Sequence, residues 1–205
     1  MRYAMVIDID RCTGCNSCAV ACKVENNLPN DIWWNRILTV GGETLDTPEG
    51  IFPNLKMKFL PLNCQHCENP SCVKACPVKA TFRREENGVI VQDYDKCIGC
   101  RMCMVACPYN ARSFNWKRPE YAINIAMGDP AVTPSQFNVV EKCNFCSHRL
   151  ARELKPACID TCPNRARFFG DINSPNSEIS RVLQGRNPVK ILEEKGTMPS
   201  VYYLT

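Results

Sequence analysis

No stretch of eighteen consecutive apolar residues occurs in this sequence, and its longest apolar candidates, such as Tyr121–Met127, reach about a third of that length. A membrane-spanning helix is therefore not expected. The N-terminal run Met1-Arg2-Tyr3-Ala4-Met5-Val6-Ile7 meets Asp8 before completing the apolar core of an export signal, so the chain is expected to carry no such signal of its own. Glycine-rich phosphate loops, flavin fingerprints and nucleophile–base constellations are also missing. The common means of turning over a substrate are thus absent. Aromatic residues make up only 8% of the chain, and there are only 2 histidines.

Cysteine, by contrast, is in excess: 16 of 205 residues, far above ordinary usage. Spacing sorts them into four groups that use every one of them. The first is Cys12-x2-Cys15-x2-Cys18-x3-Cys22, and the second Cys64-x2-Cys67-x4-Cys72-x3-Cys76-Pro77. The third is Cys97-x2-Cys100-x2-Cys103-x3-Cys107-Pro108, and the fourth Cys143-x2-Cys146-x11-Cys158-x3-Cys162-Pro163. Each group follows a short apolar or alternating run that reads as a strand: Ala4–Ile9, Met57–Leu60, Gly88–Val91 and Asn138–Val140. The last two cysteines of each group stand at i and i+4, on one face of a helical turn. A proline ends that turn in three groups of the four. One local unit is therefore expected four times over. The segments Asn26–Gly50 and Lys117–Gln136, rich in turn residues, read as connectors.

Three chemistries consume thiols at this density: disulfides, structural zinc and iron–sulfur clusters. A Cys-x2-Cys-x2-Cys loop wraps the backbone so that three thiolates reach three iron corners of a cubane cluster, and a more distant cysteine completes the fourth. In two-cluster ferredoxins the last cysteine of a run ligates the other cluster. Structural zinc draws on separated Cys-x2-Cys pairs and has no role for the third cysteine of such a run; only the fourth group, taken alone, would suit it nearly as well. Disulfides would be strained at these spacings and lack an export signal. No cysteine is missing from any group, so no iron is left open for a substrate, and electron transfer is expected rather than catalysis. His66 and His148 could suggest Rieske-type ligation, but every corner already has a cysteine. Trp33, Trp34 and Trp116 are expected to pack or to meet a partner rather than relay electrons. The formal charge of +4 becomes roughly −4 once four clusters, each about −2 with its thiolates, are included. A nucleic-acid partner is therefore not expected, and Lys74, Lys79, Arg101 and Arg112 become candidates for partly neutralising cluster charge.

These motifs, with Cys64-Gln65-His66-Cys67-Glu68-Asn69-Pro70, Cys97-Ile98-Gly99-Cys100 and Lys142-Cys143-Asn144-Phe145-Cys146-Ser147-His148-Arg149-Leu150, resemble the four-cluster electron-transfer subunits of the molybdopterin oxidoreductases. That family includes the iron–sulfur subunits of dimethyl sulfoxide, polysulfide, thiosulfate, tetrathionate and arsenate reductases. The resemblance covers nearly the whole chain and implies an α+β fold of two interleaved ferredoxin-like modules, each with two [4Fe-4S] clusters, short strands and helices, long loops and an extended C-terminal tail. Residues 1–56 with 138–205 would form the outer module, 57–116 the inner one, and 117–137 a connecting insert. It implies one cluster on Cys12, Cys15, Cys18 and Cys162, and a second on Cys22, Cys143, Cys146 and Cys158. A third would lie on Cys64, Cys67, Cys72 and Cys107, and a fourth on Cys76, Cys97, Cys100 and Cys103. Nitrate-reductase relatives carry Trp at the position of Cys100 and a three-iron cluster, so Cys100 implies four irons here. The family further implies a molybdenum- or tungsten-pterin catalytic partner at the Cys12 end. At the far end it implies an integral-membrane quinol subunit or a soluble carrier. It also implies co-export with that partner to the extracytoplasmic face, or residence in the cytoplasm. Formate dehydrogenases and some hydrogenases use the same sort of subunit and stay open as alternatives, and a zinc-stabilised scaffold is a more distant one.

Overall fold

The computed structural model describes residues 1–44, 46–123 and 125–205. Leu45, in the first connector, and Asn124, in the second and within the Tyr121–Met127 run, lie outside the described residues. Every cysteine group sits between an incoming strand and an outgoing one. In the first unit these are β1 (Tyr3–Asp8), α1 (Ser17–Glu25) and β2 (Asn35–Val40). The second has β3 (Lys58–Asn63), α2 (Ser71–Lys74) and β4 (Thr81–Arg83). The third has β5 (Ile90–Gln92), α3 (Met102–Val105) and β6 (Ser113–Phe114). The fourth has β7 (Val140–Glu141), α4 (Ser147–Leu150), α5 (Ala157–Asp160) and β8 (Arg167–Asp171). After it come α6 (Glu178–Leu183), a 3-10 turn at Glu193–Lys195 and β9 (Val201–Leu204).

Strand pairing converts this repeat into a ring. Each outgoing strand pairs antiparallel with the next incoming one, as β2–β3, β4–β5 and β6–β7. The outgoing β8 then pairs antiparallel with β1, the incoming strand of the first unit. The four expected strands correspond to β1, β3, β5 and β7. The outgoing strands carry weaker local signals: β4 and β6 are only 3 and 2 residues long, and β2 lies within the stretch that Gly41, Gly42 and Pro48 mark as a connector. They exist because a partner edge is waiting for them, which is a tertiary cause.

The helical turns obey the proline rule. Where Pro77, Pro108 or Pro163 follows the last cysteine, the preceding helix has 4 residues; where Lys23 follows Cys22, α1 runs on for 9. Proline disfavours helical backbone in the residue before it, so the turn ends there.

β1 is the structural centre. Ala4, Met5, Val6 and Ile7 are all 0% exposed, because the strand is flanked by β8 and β9 and covered on both faces. Successive side chains alternate between those faces. Met5 and Ile7 join the main core with Phe145, Phe169 and Tyr203, while Ala4 and Val6 pack with Ile179 and Leu204 beneath α6. The Ser177 side chain caps α6 by accepting from the Ser180 amide at 3.2 Å. The C-terminal tail, expected as an extended segment, contributes α6 and reaches back to the central sheet. Its last strand, β9, pairs parallel to β1, with Val6 opposite Tyr202. Ile179→Ala, which opens a cavity on the α6 side of the sheet, should lower stability by about 2–5 kcal/mol, read as a lower denaturant midpoint with iron content unchanged.

Candidate metal centres

The four Cys-x2-Cys loops share one backbone device. The residue before the second cysteine has positive φ in all of them: Gly14 (69°), His66 (42°), Gly99 (68°) and Phe145 (56°). Left-handed backbone makes the chain turn tightly between the two cysteines, and glycine adopts it without steric cost. At Gly14 and Gly99 an added Cβ would also sit 2.5 Å from the Phe59 ring and the Asn138 carbonyl, respectively. His66 and Phe145 bear the strain instead, and their rings stack on each other with centroids 3.6 Å apart. A tight turn follows the last cysteine in the three proline-bearing units. In it the amides of Lys79, Asn110 and Arg165 donate to the carbonyls of Cys76, Cys107 and Cys162 at 3.3, 3.3 and 3.1 Å.

All sixteen cysteines are free thiols, and the fold gathers them from distant parts of the chain. Cys12, Cys15, Cys18 and Cys162 line one cavity, beside Arg167. Cys22, Cys143, Cys146 and Cys158 line a second, beside Met5, Trp34 and Asn26. In the inner part of the chain, Cys67 feels the charge of Cys64, Cys72 and Cys107. Cys103 feels that of Cys72, Cys97 and Cys76. Cys15 and Cys100 are exposed, whereas Cys22, Cys143, Cys146 and Cys158 are all buried.

Burial and crowding act together on these sulfurs. Burial first, then neighbouring sulfurs, pushes the Cys22 and Cys143 thiols well up and takes Cys67 and Cys146 to about 12. Left bare they stay protonated, and only a cation held among them makes them thiolates. The linings are otherwise amide, guanidinium and apolar, with the Thr13 hydroxyl in the first, and hold no carboxylate or imidazole. Soft sulfur donors in fours, in a dry setting, suit iron–sulfur clusters. Donors already point at the sulfurs. The Phe145 amide reaches Cys143 at 3.4 Å and the Ala166 amide reaches Cys162 at 3.3 Å. The Asn26 side-chain amide spans Cys22 and Cys146 at 3.7 and 3.9 Å. Such bonds favour the anionic sulfur and raise cluster potential.

The remaining candidates fall into place around the thiols. His66 is buried, accepts from the Ile90 amide through Nδ1 at 3.1 Å, and is held neutral by burial and the nearby Lys142 and Arg112. His148 bonds Glu25 at 2.9 Å. Glu25, Asp129 and His148 converge closely enough to share a cation, yet Arg149 pairs with Glu25 at 3.2 Å and Arg152 with Asp129, so the cluster is an ion-pair network. Trp34 is buried, Trp33 lies under Lys23, and Trp116 under Arg101. Of the four cations singled out from sequence, Lys74, Lys79 and Arg101 are exposed and only Arg112 is buried. Lys142 and Arg167, equally buried, were missed. Alignment of the repeats would have flagged Arg167, since it follows Cys162 by the same offset at which Arg112 follows Cys107.

Repeated strand–loop–helix units that present sulfurs in fours define a ferredoxin-type iron–sulfur protein. A model of 4Fe-4S dicluster domains matches residues 55–123 and 131–172, and one of 4Fe-4S binding domains matches 9–25. A candidate dimethyl sulfoxide reductase iron–sulfur subunit of Halobacterium salinarum is 50% identical over 99% of this chain and 79% of its own length. A selenate reductase subunit of Mesobacillus selenatarsenatis is 38% identical over 100% of the chain and 72% of its own. The arsenate respiratory reductase iron–sulfur subunit of a Shewanella species is 36% identical over 100% and 96%. The chain belongs to this family of iron–sulfur electron-transfer subunits of multi-subunit reductases, binds 4Fe-4S clusters and is not itself the catalytic subunit. No described helix is long and apolar enough to cross a membrane.

In metal-free protein, Cys15 is exposed, and its thiol is drawn below the ordinary value, chiefly by the Ser17 hydroxyl. It should be alkylated at neutral pH at least about tenfold faster than buried Cys143. Thiolate fraction grows with pH at both sites, so both rates should rise until Cys15 is fully ionised and then only that of Cys143. Timed alkylation with peptide mapping checks this.

Proposed function

We propose that the chain carries four [4Fe-4S] clusters as a wire, with the ligand sets named from the family resemblance. The observation that supports this best is the convergence of sulfurs from two different sequence groups on single cavities, Cys162 with the first group and Cys22 with the fourth. Neighbouring sulfurs supply the order. Cys158 lies near Cys18, Cys143 near Cys64, and Cys103 near Cys72. Those proximities support an order that runs from the Cys12 set, through the Cys22 and Cys64 sets, to the Cys97 set. The exposure of Cys15 and Cys100 supports ends of that string at the surface, where partners can exchange electrons, and the burial of Cys22, Cys143, Cys146 and Cys158 supports a second set inside.

On this reading the Cys12 end meets a molybdenum- or tungsten-pterin catalytic subunit, and the Cys97 end an integral-membrane quinol subunit or a soluble carrier. The substrate is of the sulfur- or arsenic-oxyanion kind, as the names of several relatives suggest, and the complex works on the extracytoplasmic face after co-export with its partner. When bound, the clusters supply one-electron storage. The chain's own residues fix the sulfurs in place, exclude water from the Cys22 set and hold the amide donors against the thiolates.

Anaerobically purified protein should hold about sixteen iron and sixteen acid-labile sulfide, four of each per cluster; zinc without iron would sink the reading. Double variants test the ligand sets. Cys12→Ser with Cys162→Ser should abolish one electron paramagnetic resonance signal, whereas Cys12→Ser with Cys22→Ser should disturb two. The reverse result would mean that each sequence group binds its own cluster.

A further inference from the structure

Arg112, Lys142 and Arg167 are 5%, 2% and 3% exposed, and they are the buried cations among the described residues. Each lies where two sulfur sets meet. Arg167 is within Coulombic reach of Cys12, Cys18 and Cys162 of one set, and of Cys22 and Cys158 of the next. Arg112 stands in the same relation to Cys64, Cys72 and Cys107 on one hand and Cys103 on the other. Lys142 stands between Cys143 and the pair Cys64 and Cys72. The three junctions of the string thus have one buried cation apiece.

The bonds these side chains make do not account for their charge. Arg167 donates to the Asn35 side-chain oxygen at 2.9 Å and to the Met5 sulfur at 3.6 Å. Arg112 donates to Thr81 Oγ1 and Gln92 Oε1, each at 3.2 Å, and its buried Nη2 has no acceptor. These acceptors are neutral, the Cys158 and Cys72 sulfurs are further partners of Arg167 and Arg112, and a buried guanidinium without a counter-charge is strongly unfavourable. Arginine cannot shed its proton to escape that cost. Negative clusters on both flanks would supply the missing charge. Arg112 and Arg167 also each follow the last cysteine of their unit by the same interval, on the way into β6 and at the start of β8. Two repeats therefore place the same cation at the same joint.

We propose that Arg167 and Arg112 are electrostatic positioning residues, each raising the reduction potentials of the two clusters it separates. Lys142 holds the corresponding position between the two pairs. Each hop reduces one cluster as its neighbour is oxidised, by one electron, with no bond made or broken. A fixed positive charge favours the more negative, reduced cluster, so its removal lowers the potential.

This inference rests on the four-cluster reading, and the test separates the two. The cluster-loaded full chain is titrated by redox potentiometry with electron paramagnetic resonance detection, as wild type, Arg167→Gln, Arg167→Lys and Arg112→Gln. Arg167→Gln should cut the reduced-to-oxidised ratio at fixed potential at least about tenfold, which is about 59 mV for a one-electron couple, at two clusters and not at the other two. Arg112→Gln should do the same to the complementary two, and Arg167→Lys should stay near wild type. Four signals with unmoved potentials, or an equal shift of all four, would overturn the inference and leave the wire standing. Fewer than four clusters in the wild type would overturn the reading beneath it. If Arg167→Gln loses clusters, Arg112→Gln and Arg167→Lys decide: the inference fails unless the first moves only its own pair and the second keeps wild-type potentials.

Discussion

Buried thiols crowded in fours repel one another as anions, and that repulsion is the constraint on which the rest of this molecule depends. Without a cation among them, the sulfurs of Cys22, Cys143 and Cys146 are driven toward protonation by burial and by one another. The short helices, left-handed loop residues and sulfur-directed amides all make sense as ways of holding sulfurs that only a metal centre renders stable.

Closure of the ring gives those centres a rigid frame. Because β8 returns to β1, the last cysteine group is carried back to the first, and β9 then seals the other edge of the same strand. The C-terminal tail takes part in the centres as well. Thr197 bonds Tyr109 at 2.5 Å, beside the Cys67 thiol. The amides of Glu68 and Asn69 donate to the carbonyls of Met198 and Thr197 at 2.8 and 3.0 Å. A segment that reads as a loose end is a strut between the first strand and the second cysteine group. Glu25 at the end of α1 binds both His148 and Arg149 of α4, tying together two units far apart in sequence.

The stacked pair of His66 and Phe145 occupies the joint between the second and fourth groups. Each ring sits at the loop position where its counterparts in the other two units are glycine. Stacking over a short centroid distance offsets the local strain, so a position that elsewhere needs the smallest residue carries two large ones where loops from two groups meet. That exchange explains a histidine between two cysteines without any need for it to be a ligand.

Much of this was legible in the chain. Local spacing determined the four units, the i and i+4 placement of the last two cysteines, the helix ends at proline and the incoming strands, because each of these depends on residues within about one turn or one loop. The sequence also pointed to soft-metal chemistry through the thiols alone. Only the tertiary structure decided that β2, β4, β6 and β8 are strands, that β9 joins the central sheet, which sulfurs face a common cavity, and which of 25 basic residues are buried between them. Strand pairing, cavity lining and desolvation are properties of residues brought together over long stretches of chain. Arg112 and Arg101 illustrate the difference. As letters near cysteines they are equivalent, but the fold lays Arg101 over exposed Trp116 and buries Arg112 beside Cys72, and burial is what turns a charge into a strong local field.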